Sequence, residues 1–397
     1  MYKTQIIKTK EILKQLISYD VLGGQSNLEI MQYITSILDV HKVDYHFVPN
    51  ENDTKKSLFC RIGPAVDGGL ILSGHTDVVP VEGQEWQSKP FEMIEKDGKL
   101  YGRGSCDMKG FLACCLASLD YMKNRVLTKP IYFAFSYDEE IGCLAGPALA
   151  KAIKKSFTER PEFAIIGEPT NMQTVIGQKG ICVLETTVKG SAGHSSRIMQ
   201  EVSAIHVAAK LMVWLDNKMV NLKTSGNINN RFIPNHTTLH CGMVHGGIAP
   251  NVIADTCTFY WDIRVIPEDN VHEIIDEFIS YTKEVETELK QRYSLAEINT
   301  SINHPPVPPL GTTEDSAIIP LIQKITGNNA LTTVAYAAEA GQFADEGFKT
   351  VICGPGDIAQ AHRANEFIEI SQLEACLNML ENLVDTFSET NNVTTKR

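Results

Sequence analysis

Four short apolar runs punctuate the chain, and each ends on residues that can do chemistry. Leu70-Ile71-Leu72-Ser73-Gly74 leads into His75-Thr76-Asp77, and Ile131-Tyr132-Phe133-Ala134-Phe135 into Asp138-Glu139-Glu140. Phe163-Ala164-Ile165-Ile166 leads into Gly167-Glu168, and Thr350-Val351-Ile352-Cys353 into a Gly-Pro-Gly loop and then His362. Short continuous apolar runs bounded by turn residues predict buried strands of a mainly parallel sheet. Sites in such sheets lie beyond the carboxyl ends of the strands. The pattern therefore predicts one sheet edge that gathers two histidines and several carboxylates.

Between these runs the apolar residues recur at helical spacing, which predicts helices over 5–19, 27–38, 108–122 and 144–155. Further candidate strands are 45–48 and 57–62, and the alternation is that of an α/β domain. The pattern changes near Gly180. Strands with alternating faces are predicted at 181–188, 237–244 and 256–265, with helices at 202–215 and 271–289. In the last of these strands Cys257, Phe259, Trp261 and Ile263 point one way, and Thr258, Tyr260, Asp262 and Arg264 the other. This is the order of a small α+β, ferredoxin-like layer with its helices on one face. After the proline-rich stretch 304–309 the α/β pattern resumes, with helices at 314–326 and 371–387. The expected architecture is a mixed, mostly parallel sheet flanked by helices, built from 1–180 and 298–397, with a small domain inserted at 181–297. The polar tail Asn391–Arg397 is expected to fray.

Length and composition narrow the function classes. A chain of 397 residues suits two domains. Its 36 basic and 48 acidic residues give a net charge of −12, which argues against a nucleic-acid partner. No run reaches the length of a membrane span, and no apolar signal segment opens the chain. Ten cysteines without a CxxC pair read as reduced thiols, and a cytoplasmic location is expected.

At the predicted sheet edge, an acid two residues after His75 can hold the ring's second nitrogen, and Asp77 is assigned that part. Asp107 precedes a predicted helix, where taken alone a carboxylate is more often an N-cap than a ligand. Adjacent Glu139 and Glu140 after a buried strand need a counter-charge. A metal ion supplies one and lets neighbouring carboxylates differ in role, one ligating and one handling protons. Glu168 repeats the strand-end placement. Histidine and carboxylate donors without thiolate suit a pair of divalent ions, zinc or cobalt. Gly102-x-Gly104 lacks the third glycine of a dinucleotide loop, and no GxSxG elbow is present.

The chain resembles the co-catalytic zinc family that includes carboxypeptidase G, succinyl-diaminopimelate desuccinylase and the aminoacylases. The likeness lies in Gly74-His75-Thr76-Asp77-Val78-Val79-Pro80, Gly102-Arg103-Gly104-Ser105-Cys106-Asp107-Met108-Lys109-Gly110, Asp138-Glu139-Glu140-Ile141-Gly142 and Gly167-Glu168-Pro169-Thr170. It continues through Gly190-Ser191-Ala192-Gly193-His194-Ser195-Ser196, Asn251 and His362, in order along nearly the whole chain. Within the family, Ala338-Glu339-Ala340-Gly341 and 354–362 look most like the acetylornithine-deacetylating branch, although Ala337-Ala338 stands where Gly-Thr is expected.

The resemblance implies two metal ions, most often zinc. His75 and Glu168 would hold one, Glu140 and His362 the other, and Asp107 would bridge them, with a cis peptide after it. Glu139 would be the general base and acid, and Asp77 would orient His75. His194 would reach across a homodimer formed by the inserted domain, and Asn251 and Arg264 would take the substrate carboxylate. The implied reaction is deacetylation of N2-acetyl-L-ornithine, a step of arginine biosynthesis. Sister activities are desuccinylation, aminoacylase and dipeptidase reactions on other acyl-amino acids.

Overall fold

A computed structural model of the chain describes residues 2–389, with side chains from residue 4 onward. The tail expected to fray lies outside the described residues. The chain forms two compact units. The larger runs up to Gly177 and resumes over Leu310–Thr332 and from Ala338 onward. The smaller comprises Gln178–Pro309 with Thr333–Ala337.

The four apolar runs are the four adjacent parallel strands of the large unit, in the order Ile131–Ser136, Leu70–His75, Phe163–Ile166, Lys349–Ile352. Tyr45–Pro49 and Lys56–Ile62 extend this sheet antiparallel on one side, and Thr174–Gln178 does so on the other. The sheet is mixed with a parallel centre, as the alternation of elements predicts. Every residue of Leu70–His75 and of Ile131–Ser136 is buried, which explains why these strands read as unbroken apolar runs. One face carries Leu70, Leu72, Phe133, Phe135, Ile165 and Val351, which join a single core with helices Tyr2–Ile17, Gly110–Ala117, Ile318–Thr326 and Ile370–Thr386. Helices Gly146–Ser156 and Ala340–Asp345 lie against one another, the first also against Tyr45–Pro49, Lys56–Ile62 and Ile131–Ser136 and the second against Phe163–Ile166 and Lys349–Ile352.

Helix Gly110–Ala117 is buried on every side, and its Cys114 and Cys115 are core residues. It is shorter than the predicted 108–122. Asp107 (φ −118°, ψ 93°) and Met108 (φ −132°, ψ 33°) are outside the helical region, and the chain breaks again at Ser118 before Leu119–Lys123. Asp107 is therefore not an N-cap; Lys109 holds that position.

The small unit has four antiparallel strands in the order Thr238–Gly246, Thr256–Val265, Gly180–Lys189, Glu297–Ile302. Helices Ala204–Ser225 and Val271–Lys290 cover one face. Along the chain the order is strand, helix, strand, strand, helix, strand, the ferredoxin-like arrangement. Cys257, Phe259, Trp261 and Ile263 are buried against those helices, while Thr258, Tyr260, Asp262 and Arg264 are half-buried on the open face. The small unit continues beyond 297, because Glu297–Ile302 is its fourth strand and the proline-rich segment closes it. Strand Thr238–Gly246 is an edge whose later residues are exposed, Met243 and Val244 among them. No helix among the described residues is long and apolar enough to cross a membrane.

Candidate metal centre

The carboxyl ends of the four parallel strands meet at one point. His75 ends its strand with its ring buried, and the Nδ1 atom lies 2.9 Å from the backbone carbonyl of Asp77. That contact leaves Nε2 facing the carboxylates. The Asp77 side chain lies 3.6 Å from the ring and has other work. Its Oδ1 accepts from the Glu139 N–H at 3.2 Å, and its Oδ2 accepts from the Glu140 N–H at 3.1 Å. Asp77 thus meets the histidine through its main chain and the glutamate loop through its carboxylate.

The glutamate loop leaves strand Ile131–Ser136 through Asp138, which is in the left-handed region at φ +55°. Asp138 is held by an ion pair with Lys55 and by the Gly24 N–H, which donates to Oδ1 at 2.8 Å. The Cys143 thiol donates to Glu139 Oε1 at 3.1 Å, and the Gln342 amide donates to the Cys143 carbonyl at 2.9 Å. At Gly167 a Cβ would sit 2.2 Å from the Phe111 ring, so only glycine lets the Glu168 strand end approach that helix. His362 sits at φ +61°, a strained conformation for a residue other than glycine.

Asp107 lies at the centre of the group, and the Asp107–Met108 peptide is cis. Its Oδ1 lies 3.2 Å from His75 Nε2, and its Oδ2 lies 3.2 Å from His362 Nε2. Each carboxylate oxygen thus faces a different histidine. His362 Nε2 is also 3.0 Å from Glu140 Oε2, and His75 Nε2 is 3.8 Å from Glu168 Oε1 and 4.0 Å from Glu139 Oε2. Two overlapping sets, His75-Asp107-Glu140 and His75-Glu139-Glu168, bring potential ligand atoms within 4.8 Å of one another.

Electrostatics shows what the group lacks. Among the described residues, the ion pairs of Asp107, Glu139, Glu140 and Glu168 run only to His75 and His362. Burial, reinforced by neighbouring carboxylates, pushes Glu139 up to about 8 and Glu140 up to about 7, and carries Glu168 well above the usual carboxylate range. Glu168 Oε1 is buried with no hydrogen-bond partner. Burial would also raise Asp107, but the two histidines overcome it and hold Asp107 low. Hydrogen bonds that His362 donates to Asp107 and Glu140 push it up to about 10. Burial works against a charged His75, yet Asp107 and the surrounding carboxylates carry it well above the usual imidazole range. The donor set and its uncompensated negative charge fit divalent cations.

The structure gathers His75, Asp77, Asp107, Glu139, Glu140, Glu168 and His362 in the large unit. His194, Asn251 and Arg264 belong to the small one. There His194 pairs with Val252, and the Ser195 N–H donates to the Asn251 carbonyl at 3.0 Å, which makes His194 and Asn251 neighbours. The Arg264 Nε lies 3.5 Å from Asp262 Oδ1 on the open sheet face. Sequence reasoning missed Glu339, a buried acid beneath the site that burial raises to about 7. It stands between small apolar residues, and only the Ala-Glu-Ala-Gly likeness marked its segment.

The chain belongs to peptidase family M20/M25/M40, whose model matches residues 71–386. It is a hydrolase of that metal-dependent family, and the resemblance drawn from its motifs is borne out. Its curated relatives include the acetylornithine deacetylase of Proteus mirabilis, 32% identical over 385 residues, which span 95% of this chain and 96% of that one. The acetylornithine deacetylase of Photorhabdus laumondii is 33% identical over 390 residues, 98% of this chain and 97% of the other. Among solved structures, the metallo-carboxypeptidase Sso-CP2 of Sulfolobus solfataricus superposes with a TM-score of 0.76 at 17% identity, covering 96% of this chain and 99% of that one. A tripeptidase of Staphylococcus aureus gives 0.73 at 20% identity, covering 96% and 98%. These structures share the mixed α/β fold.

The raised carboxyls predict a pH dependence for the metal-free protein. A carboxyl whose folded pKa exceeds its unfolded value binds more protons when folded, so its contribution to stability is lost as pH rises through the folded value. For Glu139 and Glu140 that loss falls between their ordinary value of 4.5 and about 8. Chelated protein should melt at a lower temperature at pH 8 than at pH 5.5, and divalent metal should shrink the difference. A melting temperature that rises across this window without metal would contradict the electrostatic reading.

Proposed function

We propose that the protein is a dinuclear metal-dependent deacetylase that converts N2-acetyl-L-ornithine to L-ornithine and acetate. The observation that carries the catalytic part is the Asp107 carboxylate, which offers one oxygen to each histidine, with Glu139 beside it. The substrate is supported by relatives named for that reaction over nearly the full chain. In this reading His75 and Glu168 would hold one ion and Glu140 and His362 the other, and Asp107 would serve both. Zinc is the preferred ion and cobalt the alternative. When bound, such a pair acidifies water and polarises the scissile carbonyl.

The remaining steps fall to side chains. Glu139 accepts the proton of the attacking water and returns it to the leaving α-amine. In this reading Glu139 holds no ion, and its carboxylate stands beside the ligand group, 4.0 Å from His75 Nε2, where it can make both transfers. His194 donates to the developing oxyanion. Support comes from its Nδ1, which accepts the Ser196 N–H at 3.2 Å, so a neutral ring carries its hydrogen on Nε2. Arg264 and Asn251 take the α-carboxylate, for which a guanidinium is well shaped. The small unit serves as lid and dimer interface, with edge strand Thr238–Gly246 pairing to its copy in an isologous dimer. A cytoplasmic location accompanies this reading.

Two measurements test it. Across acetyl-ornithine, succinyl-diaminopimelate, other acyl-amino acids and dipeptides, acetyl-ornithine should give the highest kcat/KM. Another substrate preferred by tenfold or more would overturn the substrate assignment and leave the hydrolase intact. Glu139→Ala should retain metal while kcat falls by roughly 10²–10⁴-fold, whereas Glu140→Ala should lose metal. Near-normal turnover by Glu139→Ala would remove Glu139 from the proton path.

A further inference from the structure

Glu366 follows His362 in the same loop and is completely buried. Its Oε2 accepts from Arg103 Nη1 at 2.8 Å and from the Gly104 N–H at 3.0 Å. Its Oε1 accepts from the N–H groups of Cys106 at 2.8 Å and Asp107 at 3.1 Å. One carboxylate thus holds the whole turn that presents Asp107. Arg103 is equally buried and reaches the other way. Its Nη1 donates to the Arg363 carbonyl at 3.3 Å, and its Nη2 donates to the Pro80 carbonyl at 3.3 Å and to Gln84 Oε1 at 2.6 Å. The Gln84 amide then donates to the His362 carbonyl at 3.0 Å. The backbones of Asp107 and His362, far apart in sequence, are fixed to the same ion pair.

Stability alone gives little reason for such a pair. Replacing a buried ion pair by well-packed neutral residues is often neutral or stabilising. What neutral groups cannot supply is two acceptor oxygens with full charge aimed at four donors. The turn needs that hold, because Asp107 and Met108 lie outside helical geometry and no ladder fixes them. His362, with its left-handed backbone, needs it on the other side.

We propose that Arg103 and Glu366 are a positioning pair for the metal centre, setting where Asp107 stands relative to His362 and so the affinity for the ion between Asp107, Glu140 and His362. The inference rests on the dinuclear reading. Neither side chain is proposed as a ligand or to touch substrate. Groups behind a ligand typically govern metal affinity by about 10–100-fold.

The test is zinc titration of the chelated full-length protein against a chromophoric competitor, alongside thermal melting of the same metal-free samples. Glu366→Gln alone leaves Arg103 uncompensated and should lower both melting temperature and affinity. Arg103→Gln/Glu366→Gln removes both charges, so melting should recover relative to Glu366→Gln while the weaker zinc step stays at least tenfold weaker than in the parent. Gln84→Ala, a change at a half-exposed position that keeps the Arg103–Glu366 ion pair, should melt well above Glu366→Gln and weaken the same step several-fold. Parent-like zinc affinity in Gln84→Ala together with parent-like affinity in a folded double variant, or with failure of the double variant to fold, would overturn the proposal and leave the dinuclear reading standing. A parent that binds no zinc would overturn both.

Discussion

Like charge held in a small buried space is the constraint on which the large unit is built. Asp107, Glu139, Glu140 and Glu168 converge where four parallel strands end, and two imidazoles are their only ionic partners among the described residues. Water cannot dissipate the repulsion, because Asp107 and Glu168 are buried and the side chains of Glu139 and Glu140 are nearly so. Burial therefore raises three of the acids, while the two histidines keep Asp107 ionised. Divalent cations are the simplest compensation, and the same crowding would leave Glu139 a proton carrier beside them.

The fold resists that repulsion with main-chain anchors. The Asp77 carboxylate holds the N–H groups of Glu139 and Glu140, and the Asp77 carbonyl takes the Nδ1 of His75. Glu366 does for the Asp107 turn what Asp77 does for the glutamate loop. In both cases a carboxylate outside the centre accepts backbone N–H groups and fixes a carboxylate inside it. The strain at Asp138 and His362 is carried by the same anchored loops.

Much of this was legible in the sequence because strands buried on both faces leave an unbroken apolar trace that ends where chemistry begins. The four strands, the residues that follow them and the alternating faces of Thr256–Val265 could all be read this way. Glu297–Ile302 could not, since Glu-Ile-Asn-Thr-Ser-Ile is an edge strand with two apolar residues, which is why the sequence pattern ends the small unit at 297 and the structure carries it on to Pro309. Thr174–Gln178 was hidden by Gly177 inside it. The order of strands in the sheet is a long-range property that no local pattern records. The hold of Asp77 on the glutamate loop and of Glu366 on the Asp107 turn is hidden for a related reason: both act on backbone N–H groups, which every residue offers and no motif marks.

In the proposed site Asp107 would be shared by two metal ions. Cobalt titration of the chelated protein, followed by electron paramagnetic resonance, tests it directly. Two ions per chain should be taken up, with the signal from the first diminished as the second couples to it through the shared carboxylate. Saturation at one ion per chain, or two ions with simply additive signals, would contradict it.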